Sequence, residues 1–199
     1  MDYYNIIASR FQDTIESIAV SVDRLAESIA LSSDLMVKAL LSDNKIISCG
    51  NGPDSALAQL FTCMLIGRFE QDRPALPALA LNSDGTALTA IAETAGYNEV
   101  YARQLRGFGQ AGDVLLCISS TGQANNLLRA VQAAHERNMM VVALSNASDG
   151  ELGTLLQPED IEIRIDSLKQ PKVVELQTMV LNCLCELIEK QLFGSYQDV

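Results

Sequence analysis

Between Phe11 and about Leu41, apolar residues return at helical spacing, through Ile15, Ile18, Ala19, Val22, Leu25 and Ile29 and then Leu35, Met36 and Leu40. Ser32-Ser33-Asp34 interrupts that pattern with helix-capping residue types, which predicts two N-terminal helices. Beyond them the period changes. Five short apolar runs, Lys45 to Cys49, Ala78 to Leu81, Val114 to Ser119, Met140 to Leu144 and Ile161 to Ile165, are each bounded by turn residues and predict strands. Helical patterns lie between them, at about Ser55 to Phe69, Thr86 to Glu93, Glu99 to Phe108, Asn125 to Arg137 and Glu151 to Leu156. Strands that alternate with helices are joined by right-handed crossovers into a parallel sheet with helices on both faces, an α/β fold. A last helix, from about Val173 to Phe193, is apolar around so much of its circumference that burial by another subunit, as well as by its own domain, is expected.

Length and charge narrow the picture. At 199 residues the chain exceeds the ~150-residue domain prior by about a third. It therefore reads as a single domain over 1–199, with N-terminal helices over 1–42, an α/β core over 43–170 and a C-terminal helix and tail over 171–199. Hydrophobic residues make up 48% and charged residues 20% of the chain, which excludes low-complexity and disordered classes. With 14 Lys and Arg against 25 Asp and Glu, the net charge of −11 repels a phosphate backbone or an anionic bilayer. No basic stripe offsets it, so neither direct nucleic-acid binding nor membrane attachment is expected. Cys49, Cys63, Cys117, Cys183 and Cys185 are odd in number and form no C-x-x-C pair, so no disulfide framework or zinc knuckle is expected and a reducing cytoplasm follows. No apolar stretch approaches ~18 residues, and the N-terminus lacks a basic segment followed by an apolar run.

In an open parallel sheet, ligands bind beyond the carboxyl ends of the strands, so the residues after each strand are the informative ones. The first strand runs into Gly50-Asn51-Gly52-Pro53-Asp54-Ser55, where glycines permit a tight turn and helix N-terminal amides face whatever sits there. The run is not G-x-G-x-x-G and has no P-loop lysine, so it predicts neither a dinucleotide nor a nucleoside triphosphate site. A plain turn capped by Asp54 or Ser55 is the simpler alternative. The third strand runs into Ser119-Ser120-Thr121-Gly122-Gln123, more hydroxyls than one cap requires, and these suit a phosphate monoester held without fixed positive charge. Two such turns in one sheet favour a shared pocket. Asn51, Gly52, Ser55, Ser119, Ser120 and Thr121 are its candidate ligand-binding residues. Met36, Met64, Met139, Met140 and Met179 read as core filler. The single histidine, His135, precedes Glu136-Arg137 and reads as a solvated residue near a helix end. Glu93, Glu99 and Glu175 read as helix charges, and Asp84 either caps a loop or touches a ligand hydroxyl.

Cys49-Gly50-Asn51-Gly52, Arg68-Phe69-Glu70 through Arg73-Pro74, Gly112-Asp113-Val114-Leu115-Leu116 leading into Ser119 to Gly122, Ala133-Ala134-His135 and Asp149-Gly150 together resemble the sugar isomerase domain family. Within it the chain is most similar to phosphoheptose isomerases and their relatives, the initiator-associating proteins that bind the replication initiator DnaA. The resemblance runs from the N-terminal helices to Leu192-Phe193. It implies a three-layer, flavodoxin-like α/β/α sandwich around a five-stranded parallel sheet, extra helices that build a homotetramer, and a serine and threonine loop after strand three that holds a sugar phosphate. Ser119, Ser120 and Thr121 match that loop, and Ala124 stands where the family has a further serine. After strand one, the family's usual Gly-Asn-Gly-Gly-Ser is replaced by Gly50-Asn51-Gly52-Pro53-Asp54. A carboxylate at the helix N-terminus weakens phosphate binding unless Ser55 takes over.

The catalytic positions depart further. The resemblance implies a His and a Glu one helical turn apart on the helix after strand one, and a Gln and a His on the last helix; here those positions are Leu60, Met64, Val174 and Gln177. Leu and Met cannot move a proton, and no zinc ligand set remains, so no catalytic residue, metal or cofactor is expected. Leu192 and Phe193 precede a polar tail and read as a helix end folded onto its own core or as a partner anchor, the second being what the initiator-associating proteins imply. The expected function is a non-catalytic regulatory tetramer with a weak sugar-phosphate pocket, acting on DnaA. The alternative is an isomerase converting sedoheptulose 7-phosphate to D-glycero-D-manno-heptose 7-phosphate with rearranged catalytic groups. A third reading is a sugar-phosphate sensor without a protein partner.

Overall fold

In the computed structural model, which describes residues 1–147, 150–167 and 169–194, the five apolar runs form five parallel strands. These are β1 (Ile46–Gly50), β2 (Ala78–Ala80), β3 (Val114–Ile118), β4 (Met140–Asn146) and β5 (Ile161–Ile165), in the spatial order β2-β1-β3-β4-β5. Ile46 lies opposite both Ala78 and Val114, and Gly50 opposite Ile118, so the ends of β1 and β3 are level. Among the described residues, six α-helices accompany them: α1 (Tyr3–Leu41), α2 (Pro53–Ile66), α3 (Gly85–Ala95), α4 (Ala102–Phe108), α5 (Asn125–Glu136) and α6 (Gln170–Phe193). Helices α2 and α6 begin ahead of the positions expected from periodicity because Pro53 and Pro171 occupy their first turns, where a missing N–H costs nothing. The pattern expected at Glu99 to Phe108 divides into a 3-10 turn at Tyr97–Glu99 and α4, and Glu151–Leu155 forms only a 3-10 turn.

The N-terminal segment corrects the expectation of two helices. Helix α1 runs unbroken for 39 residues, about 58 Å at 1.5 Å per residue. Ser32 and Ser33 are buried inside it, and their hydroxyls donate to the carbonyls of Ser28 (2.7 Å) and Ala30 (2.8 Å). A serine whose hydroxyl returns to the preceding turn is as compatible with a helix interior as with a cap. Gln191 of α6 decides between them by donating to Ser33 Oγ (3.0 Å) and Asp34 Oδ1 (2.9 Å), which holds the segment helical against its neighbour.

Alternate strand residues face opposite layers. Ile46, Val114, Leu116, Leu144 and Ile163 pack with Met36 of α1, Phe61 and Leu65 of α2, and Leu181 and Leu184 of α6. Ile47, Cys49, Leu115, Cys117 and Val141 pack with Tyr101 and Leu105 of the α4 region and Leu127 and Val131 of α5. This is a three-layer α/β/α sandwich. Because β1 and β3 are buried on both faces, their sequences read as continuous apolar runs rather than alternating ones.

One charged cluster lies inside the first layer. Glu189 of α6 is 2% exposed and accepts the N–H groups of Phe69 (3.0 Å), Glu70 (3.2 Å) and Gln71 (3.1 Å), together with Arg73 Nε (2.8 Å). Arg73 in turn donates to the carbonyls of Leu65 and Met64, each at 2.7 Å. The Arg68 to Pro74 segment is thus a nest for a carboxylate from the far end of the chain. Burial alone would raise the pKa of Glu189, but the three backbone N–H groups and the guanidinium outweigh it and hold the pKa below the usual glutamate value.

The N-terminal half of α1 is different. Tyr3, Ile7, Phe11 and Ile15 stand exposed on it. Farther along, Ile18, Val22, Leu25 and Ile29 line an apolar groove of about 380 Å³ with Met179 and Leu187 of α6. Among the described residues, no helix is long and apolar enough to cross a membrane.

Candidate functional site

The strand order reverses between β1 and β3, and in open parallel sheets that switch point opens a crevice at the carboxyl edge. Both candidate loops meet there. Gly52 turns the chain out of β1 with φ 54°, a left-handed conformation that favours glycine, and Pro53 then starts α2. Asn51 pairs side chain to side chain with Asn126 in the first turn of α5, each amide donating to the other's oxygen at 2.8 Å. Tyr97 donates to Asn51 Oδ1 (3.2 Å), and Tyr101 donates to the Gly50 carbonyl. Burial pushes the Tyr101 pKa well up, so it remains a neutral phenol.

Asp54 joins the two loops. It is 3% exposed, and its Oδ2 accepts both the backbone N–H (2.8 Å) and the hydroxyl (3.0 Å) of Ser120. Its Oδ1 is buried without a hydrogen-bond partner. Burial raises the Asp54 pKa, while the two bonds from Ser120 pull against that rise. Ser120 is held from other sides as well: Gln170 Nε2 donates to its hydroxyl (3.1 Å), and Asn146 Nδ2 donates to its carbonyl (2.6 Å). Ser119 Oγ accepts the Gly122 N–H at 2.8 Å, and Ser55 turns its hydroxyl to the Gly52 carbonyl at 2.8 Å. Thr121 is exposed at the rim of the turn.

All six candidate ligand residues therefore come to one edge of the sheet. Sequence reasoning missed Asn126, Tyr97, Tyr101, Asn146 and Gln170, which hold the two loops in place. Only Asn126, beside the helix start already assigned at Asn125, carried a local signal. Asp84 is resolved as the cap of α3, accepting the N–H groups of Thr86 (2.9 Å) and Ala87 (3.0 Å). Gly150 explains half of the Asp149-Gly150 pair, since a Cβ there would lie 2.2 Å from the Gly122 carbonyl oxygen; Asp149 lies outside the described residues. Gly150→Ala should accordingly displace the Ser119 to Gly122 turn and destabilise the fold by about 1–3 kcal/mol in urea unfolding.

With that geometry in hand, comparison with known proteins is direct. The SIS domain family matches residues 10–146, more than half of the chain. The chain belongs to the SIS domain family. Among SIS-domain relatives, it is 45% identical over 193 residues to the DnaA initiator-associating protein DiaA of Escherichia coli O1:K1, covering 97% of this chain and 98% of that one. It is also 45% identical over 188 residues to the protein of the same name from Pectobacterium carotovorum, covering 94% and 96% of the two chains. Among solved structures, the phosphoheptose isomerase of Francisella tularensis superposes with a TM-score of 0.91 at 34% identity, covering 96% of this chain and 100% of the other. Phosphoheptose isomerase GmhA of Neisseria gonorrhoeae gives 0.88 at 33% identity, covering 94% and 98%.

Elsewhere on this SIS domain, the positions singled out for catalysis are occupied as the sequence reads. Leu60 is 40% exposed on α2, and Met64 and Val174 pack against the first core layer. Gln177 is wholly buried and donates to the Leu144 carbonyl at 3.3 Å, leaving its Oε1 without a partner. The metal that the isomerase resemblance implies does not fit this set, whose side chains are two aliphatic groups, a thioether and an amide already tied to the sheet. His135, expected to be solvated, is corrected to a half-buried residue whose Nε2 lies 2.7 Å from Asp160 Oδ2, which fastens α5 to the loop before β5. Glu175 and Glu99 also have structural partners: Arg10 and Thr14 for the first, Arg106 for the second. Leu192 and Phe193 divide at the end of α6: Leu192 is partly buried against the core, whereas Phe193 is 42% exposed.

Proposed function

We propose that this SIS-domain protein is a single-domain, non-catalytic cytoplasmic scaffold that associates with the replication initiator DnaA and retains a carbohydrate pocket in which a sugar phosphate binds weakly. The observation that carries the reading is the 45% identity, across almost the whole of both chains, to proteins named for association with DnaA. The exposed Phe193, next to Leu192 at the end of α6, supports an apolar anchor for that partner. A homotetramer suits the exposed Ile7, Phe11 and Ile15 of α1 and the groove between α1 and α6, which further copies of the same apolar helices would cover. A tetramer would present four anchors to several initiator molecules at once.

The isomerase reading draws on the 33% and 34% identical structures, which are less specific to this chain than its 45% relatives. It would also need proton-transfer groups other than Leu60, Met64, Val174 and Gln177. The expected result is therefore no turnover of sedoheptulose 7-phosphate, with or without added zinc, beside capture of purified DnaA by the tagged protein. Steady turnover that a chelator abolishes would overturn the non-catalytic reading, and absence of DnaA capture would overturn the scaffold.

A further inference from the structure

A cationic hollow of about 490 Å³ lies between α1 and the start of α6. Arg24 of α1 and Lys169 and Lys172 at the start of α6 line it, with Asp166, after β5, as the one carboxylate among its lining residues. Three cations against one anion reverse the balance of a chain in which 25 Asp and Glu outnumber 14 Lys and Arg. Val20 and Leu176 give the hollow an apolar wall. The beginning of α6 faces two ways: Gln170 Nε2 donates to Ser120 Oγ (3.1 Å) at the sheet edge, whereas Lys172 Nζ donates to Ser17 Oγ (3.0 Å) on α1. The hollow is thus separate from the crevice between β1 and β3, and none of the six candidate ligand residues lines it.

These cations are not neutralised by their own surroundings. Among the described residues, the Lys169 ammonium has no acceptor. Lys172 is steadied by a hydroxyl and by the Asp13 carbonyl (3.3 Å), neither of them charged. Arg24 pairs with Asp166, but the two side chains are 64% and 67% exposed, and an ion pair so open contributes little and yields readily to a better anion. Ser167 Oγ accepts the Lys169 N–H (3.2 Å), which leaves its own hydroxyl hydrogen to donate. Three cations and a hydroxyl around one space suit a multiply charged anion, since each charge-assisted bond is about twice as strong as a neutral one. The volume is that of a small-molecule site, about 300–1,000 Å³, and its concave shape differs from the broad face that binds a protein. We propose that this hollow is a binding site for a small phosphorylated molecule, with Arg24, Lys169 and Lys172 on the phosphate and Val20 and Leu176 against the remainder of the ligand. The site stands whether or not the sheet-edge pocket takes a ligand.

The test is calorimetric titration with inorganic pyrophosphate, which carries phosphate charge without a sugar. At an ionic strength of about 0.15 M, screening over about 8 Å leaves only nearby charges to decide binding. Wild type should bind saturably. Lys169→Gln with Lys172→Gln should weaken binding by at least about tenfold, the effect of losing one charge-assisted hydrogen bond, and Arg24→Gln should weaken it independently. Ser120→Ala, which alters the sheet-edge crevice, should change it by less than about twofold. The same should hold for Lys38→Gln with Arg103→Gln, which removes equal charge from exposed positions elsewhere. Thermal melts check that each variant is folded, and if the double lysine variant is not, Arg24→Gln decides. No binding by wild type, or an equal loss in the Lys38 and Arg103 control, would overturn the site. A loss in Ser120→Ala with none in the lysine and arginine variants would place the anion in the crevice, which overturns the hollow and leaves the sheet-edge pocket standing. Binding of a hexaglutamate peptide without binding of pyrophosphate would make the hollow a protein contact and overturn the small-molecule site.

Discussion

Glu189→Gln should lower the free energy of unfolding by about 3–5 kcal/mol, the size expected when one partner of a buried charge pair is removed. Arg73 is 1% exposed and would be left as an uncompensated guanidinium in the first core layer. The N–H groups of Phe69, Glu70 and Gln71 would lose their charged acceptor as well. Replacing both members, as Glu189→Gln with Arg73→Met, should cost less than the two single changes added together, because the second removes the stranded charge. The pH dependence has a definite sign. Since the folded pKa of Glu189 lies below its unfolded value, its contribution is complete above the ordinary glutamate pKa of about 4.3 and is lost as pH falls through the folded value. Wild type and Glu189→Gln should therefore differ most in urea unfolding near neutral pH and converge in acid. Asp54 acts in the opposite direction: its raised folded pKa gives a contribution present below about pH 3.9 and lost as pH rises through the folded value. Equal urea midpoints for wild type and Glu189→Gln at neutral pH would remove Glu189 as a structural anchor.

If the proposed homotetramer is built on α1, Phe11→Glu with Ile15→Glu should yield monomers and reduce the proposed capture of DnaA by a factor of about 100 or more, the scale on which multivalent attachment exceeds single contacts. Both side chains are exposed on the single chain, at 68% and 66%. Their replacement should leave the stability of one subunit within about 0.5 kcal/mol, as for other surface changes. Two carboxylates on each copy would, however, have to be buried together in any interface built on α1, and that is costly without partners. Light scattering should report one chain mass for the variant and four for wild type. A variant that remains tetrameric would show that α1 is not the assembly surface. A monomeric variant that captures DnaA as well as wild type would show that the scaffold does not act through valency.

Much of the architecture was legible because it depends on local chemistry. Parallel strands buried on both faces must be apolar at consecutive positions, so Ile46 to Gly50 and Val114 to Ile118 stand out whatever packs on them. That Asn51, Gly52 and Ser119 to Thr121 share one edge was legible for a similar reason: neighbouring parallel strands bring the loops that follow them to the same end of the sheet. The boundary at Ser32-Ser33 was misread because capping and back-bonding use the same hydroxyl, and the choice was made by Gln191 on another helix.

The amino-acid sequence by itself determined the alternation of strand and helix and the family. Only the tertiary structure decided that Asp54 closes on Ser120, 66 residues away, and that Glu189 is the counter-ion of Arg73, 116 residues away. The physical reason is that periodicity and turn chemistry act over a few residues, whereas the pairing of a buried polar group depends on which distant donors the packed layers bring within about 3 Å of it.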